Sequence, residues 1–115
     1  MPLSQRDPAY LWDMLDAAHL IQEFVRGITF SKCTSNKMIQ SAVERQLEIL
    51  GEAARRVSTE FQEEHPEIPW RQVIGLRNIL AHEYGEIKAD RIWRIATVDV
   101  SDLILRLEPL IPPLD

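Results

Sequence analysis

The chain has 115 residues, 45% of them hydrophobic and 27% charged, a formal net charge of −5 and a single cysteine. That length buries a core without staples, and one cysteine, Cys33, excludes an intramolecular disulfide and a cysteine-built zinc site. The acidic balance excludes a surface basic all over, so any contact with nucleic-acid phosphate must be local. No apolar run approaches a membrane span. No basic-then-apolar leader is seen, so no membrane partner and a cytoplasmic location are the expectation.

The first predicted helix lies in "RDPAYLWDMLDAAHLIQEFVRG". Asp7 is placed to cap it, and Pro8 to take a first-turn position where its missing N–H does no harm. Leu11, Met14, Leu15, Ala18, Ile21 and Val25 follow helical spacing, and Gly27 marks the stop. Asp13, Asp16 and Glu23 form the polar face. A second helix runs through "SNKMIQSAVERQLEILGEAARRV", with a stripe of Met38 or Ile39, Ala42 or Val43, Leu47, Leu50, Ala54 and Val57. Gly51 interrupts it at a cost of about 1 kcal/mol relative to Ala, which points to another helix passing close by. Ser58 can cap a short helical segment in "STEFQEEHPEIPW", and Pro66 and Pro69 punctuate the loop that ends it.

From Trp70 to about Ala81 a third long helix carries Val73, Ile74, Leu76 or Arg77, and Leu80, with Trp70 anchoring its start in the core and Gly85 just past its end. The last helix begins near Lys88–Asp90 and runs to about Leu107. Its stripe is Ile92, Ala96, Val100, Leu103 and Leu107, widened by Trp93 and Ile104, and Pro109, Pro112 and Pro113 forbid its continuation. No segment alternates as a strand. The expected architecture is an all-α, up-and-down bundle of four to five helices forming one domain over residues 1–115. The broad apolar faces of the second and last helices leave surface for a symmetric homodimer.

Chemistry concentrates in "GLRNILAHEYGEI", residues 75–87. Arg77 offers a permanently charged fork for phosphate oxygens, His82 can shuttle a proton, and Asn78 can hold a hydroxyl or orient His82. Such a set, without a carboxylate cage for metal, suits metal-free cleavage of RNA, whose 2′-OH attacks the adjacent phosphate while the arginine stabilises the developing charge. Arg77 and His82 are five residues apart, about 140° around an ideal helix, so they converge only if the helix loosens near Gly85 or if two subunits share a cleft. The same residues also make an ordinary polar helix end, where the dipole favours a cation at His82. Tyr84 sits before Gly85 with its hydroxyl open to covalent modification.

Arg45, Glu48, Glu52 and Arg55 read as a solvated, salt-bridged face, or as an acidic lining opposite the Arg77 helix. His19 and His65 stand alone and lack ligands at metal spacing. No P-loop, dinucleotide fingerprint, GxSxG or HExxH is present, and no metal or cofactor is expected.

The run "AVERQLEILGEAAR", followed by "IPWRQVIGLRNILAHEYGEI" and a tryptophan-bearing last helix, resembles the HepT-like family of the HEPN superfamily. The resemblance extends from the first helix to about Leu107. It implies a homodimeric helical toxin that cleaves RNA, mRNA or tRNA, as an endo- or exoribonuclease without metal. It further implies a partner, an antitoxin of the minimal nucleotidyltransferase type, MntA, with which the dimer can form a larger hetero-oligomer. By similarity Arg77 and His82 are catalytic, Asn78 assists, and Tyr84 receives AMP from the antitoxin. The competing expectation is a non-catalytic helical dimer that holds a nucleotide or protein partner in the same cleft.

Overall fold

The computed structural model describes residues 2–112, with side chains from Arg6 onward. Helix α1 spans Pro2–Val25, α2 Phe30–Thr34, α3 Lys37–Arg56, α4 Thr59–Glu64, α5 Trp70–Ile74, α6 Leu76–His82, α7 Gly85–Arg94 and α8 Val100–Leu107. A π turn, Ile95–Asp99, joins α7 to α8, and a 3-10 turn, Glu108–Leu110, comes after α8. No strand occurs among the described residues, so the bundle is all-α as expected.

Helix α1 forms because its apolar positions recur on one face: Leu11, Met14, Leu15, Ala18, Ile21 and Val25 are all buried. It packs between α3 and α8, and Gln22 Nε2 donates to Ser101 Oγ at 3.0 Å across the α1–α8 seam. Gly27, at φ +75°, lies just beyond its end. The expected start of α1 is corrected. The helix already runs from Pro2, and Pro8 lies inside it. Asp7 does not cap α1. It is 3% exposed, and its carboxylate accepts from the Ser58 N–H at 2.9 Å and from Ser58 Oγ at 2.6 Å.

Two capped starts come next in the chain. Thr29 Oγ1 accepts from Lys32 N–H at the head of α2, a short helix that apolar periodicity does not reveal. Asn36 Oδ1 accepts from Met38 and Ile39 N–H at the head of α3. Within α3, Val43, Leu47, Leu50 and Ala54 face the core, whereas Met38 is exposed. Ser58 caps α4 as expected, its Oγ accepting from Phe61 N–H at 3.2 Å. Trp70 is buried at the head of α5, with Nε1 donating to the His65 carbonyl at 2.9 Å.

The expected third long helix is broken in two. Gly75 takes ψ −5°, which ends α5, and α6 starts at the next residue. Its N–H still reaches the Arg71 carbonyl, but Asn78 N–H then bonds the Gly75 carbonyl in the tighter 3-10 manner. The last helix begins at Gly85, earlier than Lys88–Asp90. Its stripe of Ile92, Ala96, Val100, Leu103, Ile104 and Leu107 is buried as expected, carried through the π turn. Pro113 lies outside the described residues. Among those described, no helix is long and apolar enough to cross a membrane.

Candidate active site

Arg77, Asn78 and His82 all lie on α6, and all three are exposed. Leu76 anchors that helix in the core, and α6 packs along α3. A close approach to α3 is made at Gly51 by the backbone at the end of α5 and by the Arg77 stem of α6, a neighbouring helix being what the place of Gly51 in the α3 stripe implied. A Cβ there would come within 3.1 Å of the Val73 carbonyl oxygen, 3.7 Å of the Ile74 carbonyl oxygen and 3.5 Å of Arg77 Cγ. A side chain there would make the Val73 carbonyl give by a few tenths of an ångström, while the other two contacts stay at ordinary van der Waals range.

Arg77 leaves this contact with its guanidinium towards α3, where Nη1 donates to Glu52 Oε1 at 3.0 Å. Glu52 thus does face the Arg77 helix. It also binds Arg55 through two bonds, at 3.2 and 2.7 Å, and Arg56 at 2.9 Å. These partners, Arg55 first and Arg56 next, hold the Glu52 carboxyl down at about 2, well below its ordinary range. The fork to Arg55 is legible in i, i+3 spacing and the bond to Arg56 in i, i+4. Glu48 pairs with Arg45 instead of Arg55.

Arg77 and Asn78 line an open cleft of about 940 Å³ between α3 and α5–α6. Arg45, Arg55 and Arg71 line it too, against Glu44 and Glu48. Four arginines and two glutamates thus line one cleft in a chain whose net charge is −5, with Arg45 paired to Glu48 and Arg55 and Arg77 to Glu52. This is the local basic patch that the acidic composition left room for.

His82 and Tyr84 are not among the residues lining that cleft. The helix stays regular through His82, because Glu83 N–H bonds the Ile79 carbonyl at 3.0 Å. Arg77 and His82 therefore point about 140° apart, and a single chain does not aim both at one atom by loosening before the histidine. Among the described residues no hydrogen bond or ion pair fixes the His82 imidazole.

Beyond His82 the backbone straightens. Tyr84 is extended, at φ −138° and ψ 159°, and Gly85 then turns at φ +63°, a left-handed conformation that a residue with a Cβ resists. This turn leaves Tyr84 77% exposed. Ion pairs brace it on both sides: Arg91 to Glu83 at 3.3 Å and Lys88 to Glu44 at 3.6 Å. The Tyr84 ring is exposed, as its place before Gly85 suggested.

The other histidines are apart from this region. His19 lies 3.8 Å from Glu108, and His65 contacts Glu67 at 3.1 Å while its ring packs on Phe61. Among the described residues no group of three or more His, Cys, Asp or Glu side chains is arranged to hold a metal ion. Cys33 is buried, and burial pushes its thiol up.

Comparison with known proteins finds relatives along most of the chain. "Putative RNase MJ1380" of Methanocaldococcus jannaschii is 41% identical over 107 residues, covering 92% of this chain and 98% of that protein. "Probable ribonuclease HepT" of Thermococcus cleftensis is 38% identical over 110 residues, covering 96% of this chain and 98% of that protein. No solved structure matches the chain. The family model described as Ribonuclease HepT-like matches residues 14–110, and the chain belongs to that family.

Proposed function

We propose that the chain is a ribonuclease toxin in which Arg77 and His82 cleave RNA, Asn78 assists, and AMP on Tyr84 switches the activity off. The observation that carries this reading is the family match over residues 14–110 together with the exposure of Arg77, Asn78, His82 and Tyr84 on α6 and the turn after it. In the proposed step His82 takes the proton of a ribose 2′-OH as that oxygen attacks the adjacent phosphorus. The P–O5′ bond breaks, the 5′-oxygen is protonated on leaving, and a 2′,3′-cyclic phosphate remains. The free N–H groups of Arg77 stabilise the charge that builds on the phosphate oxygens. Asn78 holds a phosphate oxygen or the attacking hydroxyl. None of these roles asks for a metal ion or a cofactor.

The divergence of Arg77 and His82 on one regular helix favours a site completed by a second copy, so a homodimer is part of the proposal. Ile87, Val98 and Leu105, exposed on the segment from α7 to α8, give that dimer apolar surface to cover. The partner proposed is a nucleotidyltransferase antitoxin. The Tyr84 oxygen attacks the α-phosphorus of ATP, pyrophosphate leaves, and the phenolic proton passes to solvent. The product carries bulk and a negative phosphodiester two residues from His82, which opposes RNA phosphate by charge and by volume. A cytoplasmic setting, with mRNA or tRNA as substrate, accords with this role.

The test is an assay on total RNA in excess EDTA with wild type and the Arg77→Ala, His82→Ala and Tyr84→Phe variants, each checked for helicity by circular dichroism. Cutting by wild type and Tyr84→Phe, with loss in the other two, is the expected result. Folded, unmodified wild type that leaves RNA intact while binding it in a phosphate-dependent way sinks the nuclease reading in favour of a binding module.

A further inference from the structure

Resting on the reading of Arg77 as the residue that meets substrate phosphate, the surroundings of Arg77 carry a further step. An arginine side chain has much rotamer freedom to lose on immobilisation, and one 54% exposed on a surface helix would ordinarily keep most of it. Arg77 is held at its guanidinium, while its stem passes beside Gly51 at ordinary van der Waals range, an added Cβ there standing 3.5 Å from Cγ. Its tip donates through Nη1 to Glu52 Oε1 at 3.0 Å.

The acceptor is itself fixed. Arg55 grips both Glu52 oxygens, and Arg56 adds a bond to Oε2. The carboxylate therefore has a set place to which Arg77 docks. Only one of the five guanidinium N–H donors of Arg77 is used in that contact. Around the carboxylate stand three guanidiniums, so one negative charge leaves the group net positive towards an incoming anion.

We infer that Glu52 is a positioning residue of the reaction, holding the Arg77 guanidinium on α3 so that its free edge faces phosphate in the α3–α6 cleft. Glu52 touches no substrate and acts through Arg77. Removing it leaves the charge of Arg77 in place but lets the guanidinium wander. A misplacement of about 1 Å costs a reaction about 100-fold, so the loss belongs to kcat, while the basic cleft that attracts RNA persists.

The experiment uses the full chain as wild type, Glu52→Gln, Glu52→Ala, Arg77→Ala and the Glu52→Ala/Arg77→Ala double variant. Two readouts are taken: kcat and KM on one RNA, and the Arg77 Nε–Hε resonance by NMR, assigned by its disappearance in Arg77→Ala. Glu52→Ala is expected to lower kcat by about 10- to 100-fold, change KM by less than about threefold, and broaden the Arg77 resonance. Glu52→Gln, which keeps an acceptor oxygen at the same reach, is expected to recover part of both. With Arg77 already absent, removing Glu52 should cost no further activity, as two residues acting in series require.

An unchanged or raised kcat in Glu52→Ala overturns the inference. So does an Arg77 resonance equally mobile with and without Glu52, or a loss of the same size in both backgrounds. If wild type cuts no RNA, the ribonuclease reading falls and the catalytic role of Glu52 with it. The Arg77 resonance then still decides whether Glu52 holds the guanidinium.

Discussion

Replacing Asp7 by alanine tests the junction between the first helix and the centre of the chain. Asp7 is 3% exposed and accepts two bonds from Ser58, one from N–H at 2.9 Å and one from Oγ at 2.6 Å. Bonds to a charged acceptor contribute about 1.5–3 kcal/mol each. Half-exposed Ser58 recovers part of this from water, and alanine also relieves the cost of burying a carboxylate. The net loss expected for Asp7→Ala is therefore about 2–4 kcal/mol, a large share of the roughly 5–15 kcal/mol that holds a domain folded. For a chain of this size that lowers Tm by roughly 10–15 °C.

Urea denaturation monitored by far-ultraviolet circular dichroism measures this directly. Ser58→Ala and the double variant complete the cycle. Ser58→Ala removes the Oγ bond and the cap on Phe61 N–H, while the backbone N–H bond to Asp7 persists, so the coupling expected is about 1–2 kcal/mol. A loss below about 1 kcal/mol in Asp7→Ala, or single losses that simply add, would refute the reasoning that this carboxylate is anchored on Ser58.

Two further outcomes are expected. Gly51→Ala gains helix propensity of about 1 kcal/mol but sets a Cβ 3.1 Å from the Val73 carbonyl oxygen, so its stability should stay within about 1 kcal/mol of wild type, whereas Gly51→Val should lose about 1–3 kcal/mol by overpacking; a clear gain from either in urea denaturation contradicts the close approach. The Glu52 carboxyl, held at about 2 by Arg55 and Arg56 against an ordinary 4.5, has a folded value below its unfolded one. Its contribution is therefore complete above about 4.5 and fades as pH falls towards 2. Side-chain carbon NMR should give a Glu52 midpoint near 2 that rises towards 4.5 in the Arg55→Ala/Arg56→Ala variant, and a midpoint equal in both forms counts against the cluster.

The helical stripes were legible because burial obeys a 3.6-residue period: every apolar position expected to face inward on α1 is buried, and the α8 stripe likewise. Gly51 was legible for a related reason, since a glycine that sacrifices propensity in the middle of a good stripe marks the close approach of another helix. Asp7 misled because "DP" carries the same local signal whether or not a helix starts there, and its true partner lies 51 residues away. Periodicity also cannot see Gly75. A change of ψ to −5° interrupts the helix while leaving Val73 and Leu76 buried. On α3, spacing allowed Arg55 to pair with Glu52 but gave no way to know that Arg77, 25 residues on, closes on the same carboxylate.

The break at Gly75 and the regular turn after it bear jointly on the proposed chemistry. Because α6 restarts there, its first residues lie along α3, and Arg77 reaches Glu52 and the cleft. Because α6 then runs without distortion to His82, the imidazole leaves on another side of the helix and finds no partner among the described residues. Each end of the short helix thus has a different neighbour: α3 for the arginine, and open surface beside Tyr84 for the histidine. A chain arranged so can hold a charged fork still without bringing the proton-transfer group to it. In the proposed homodimer the missing group comes from the second copy, and assembly supplies the proximity that the single helix denies. The proposed control at Tyr84 accords with the same geometry, since a phosphodiester added to that exposed phenol, two residues from His82, need not disturb the Arg77 seat to oppose RNA phosphate.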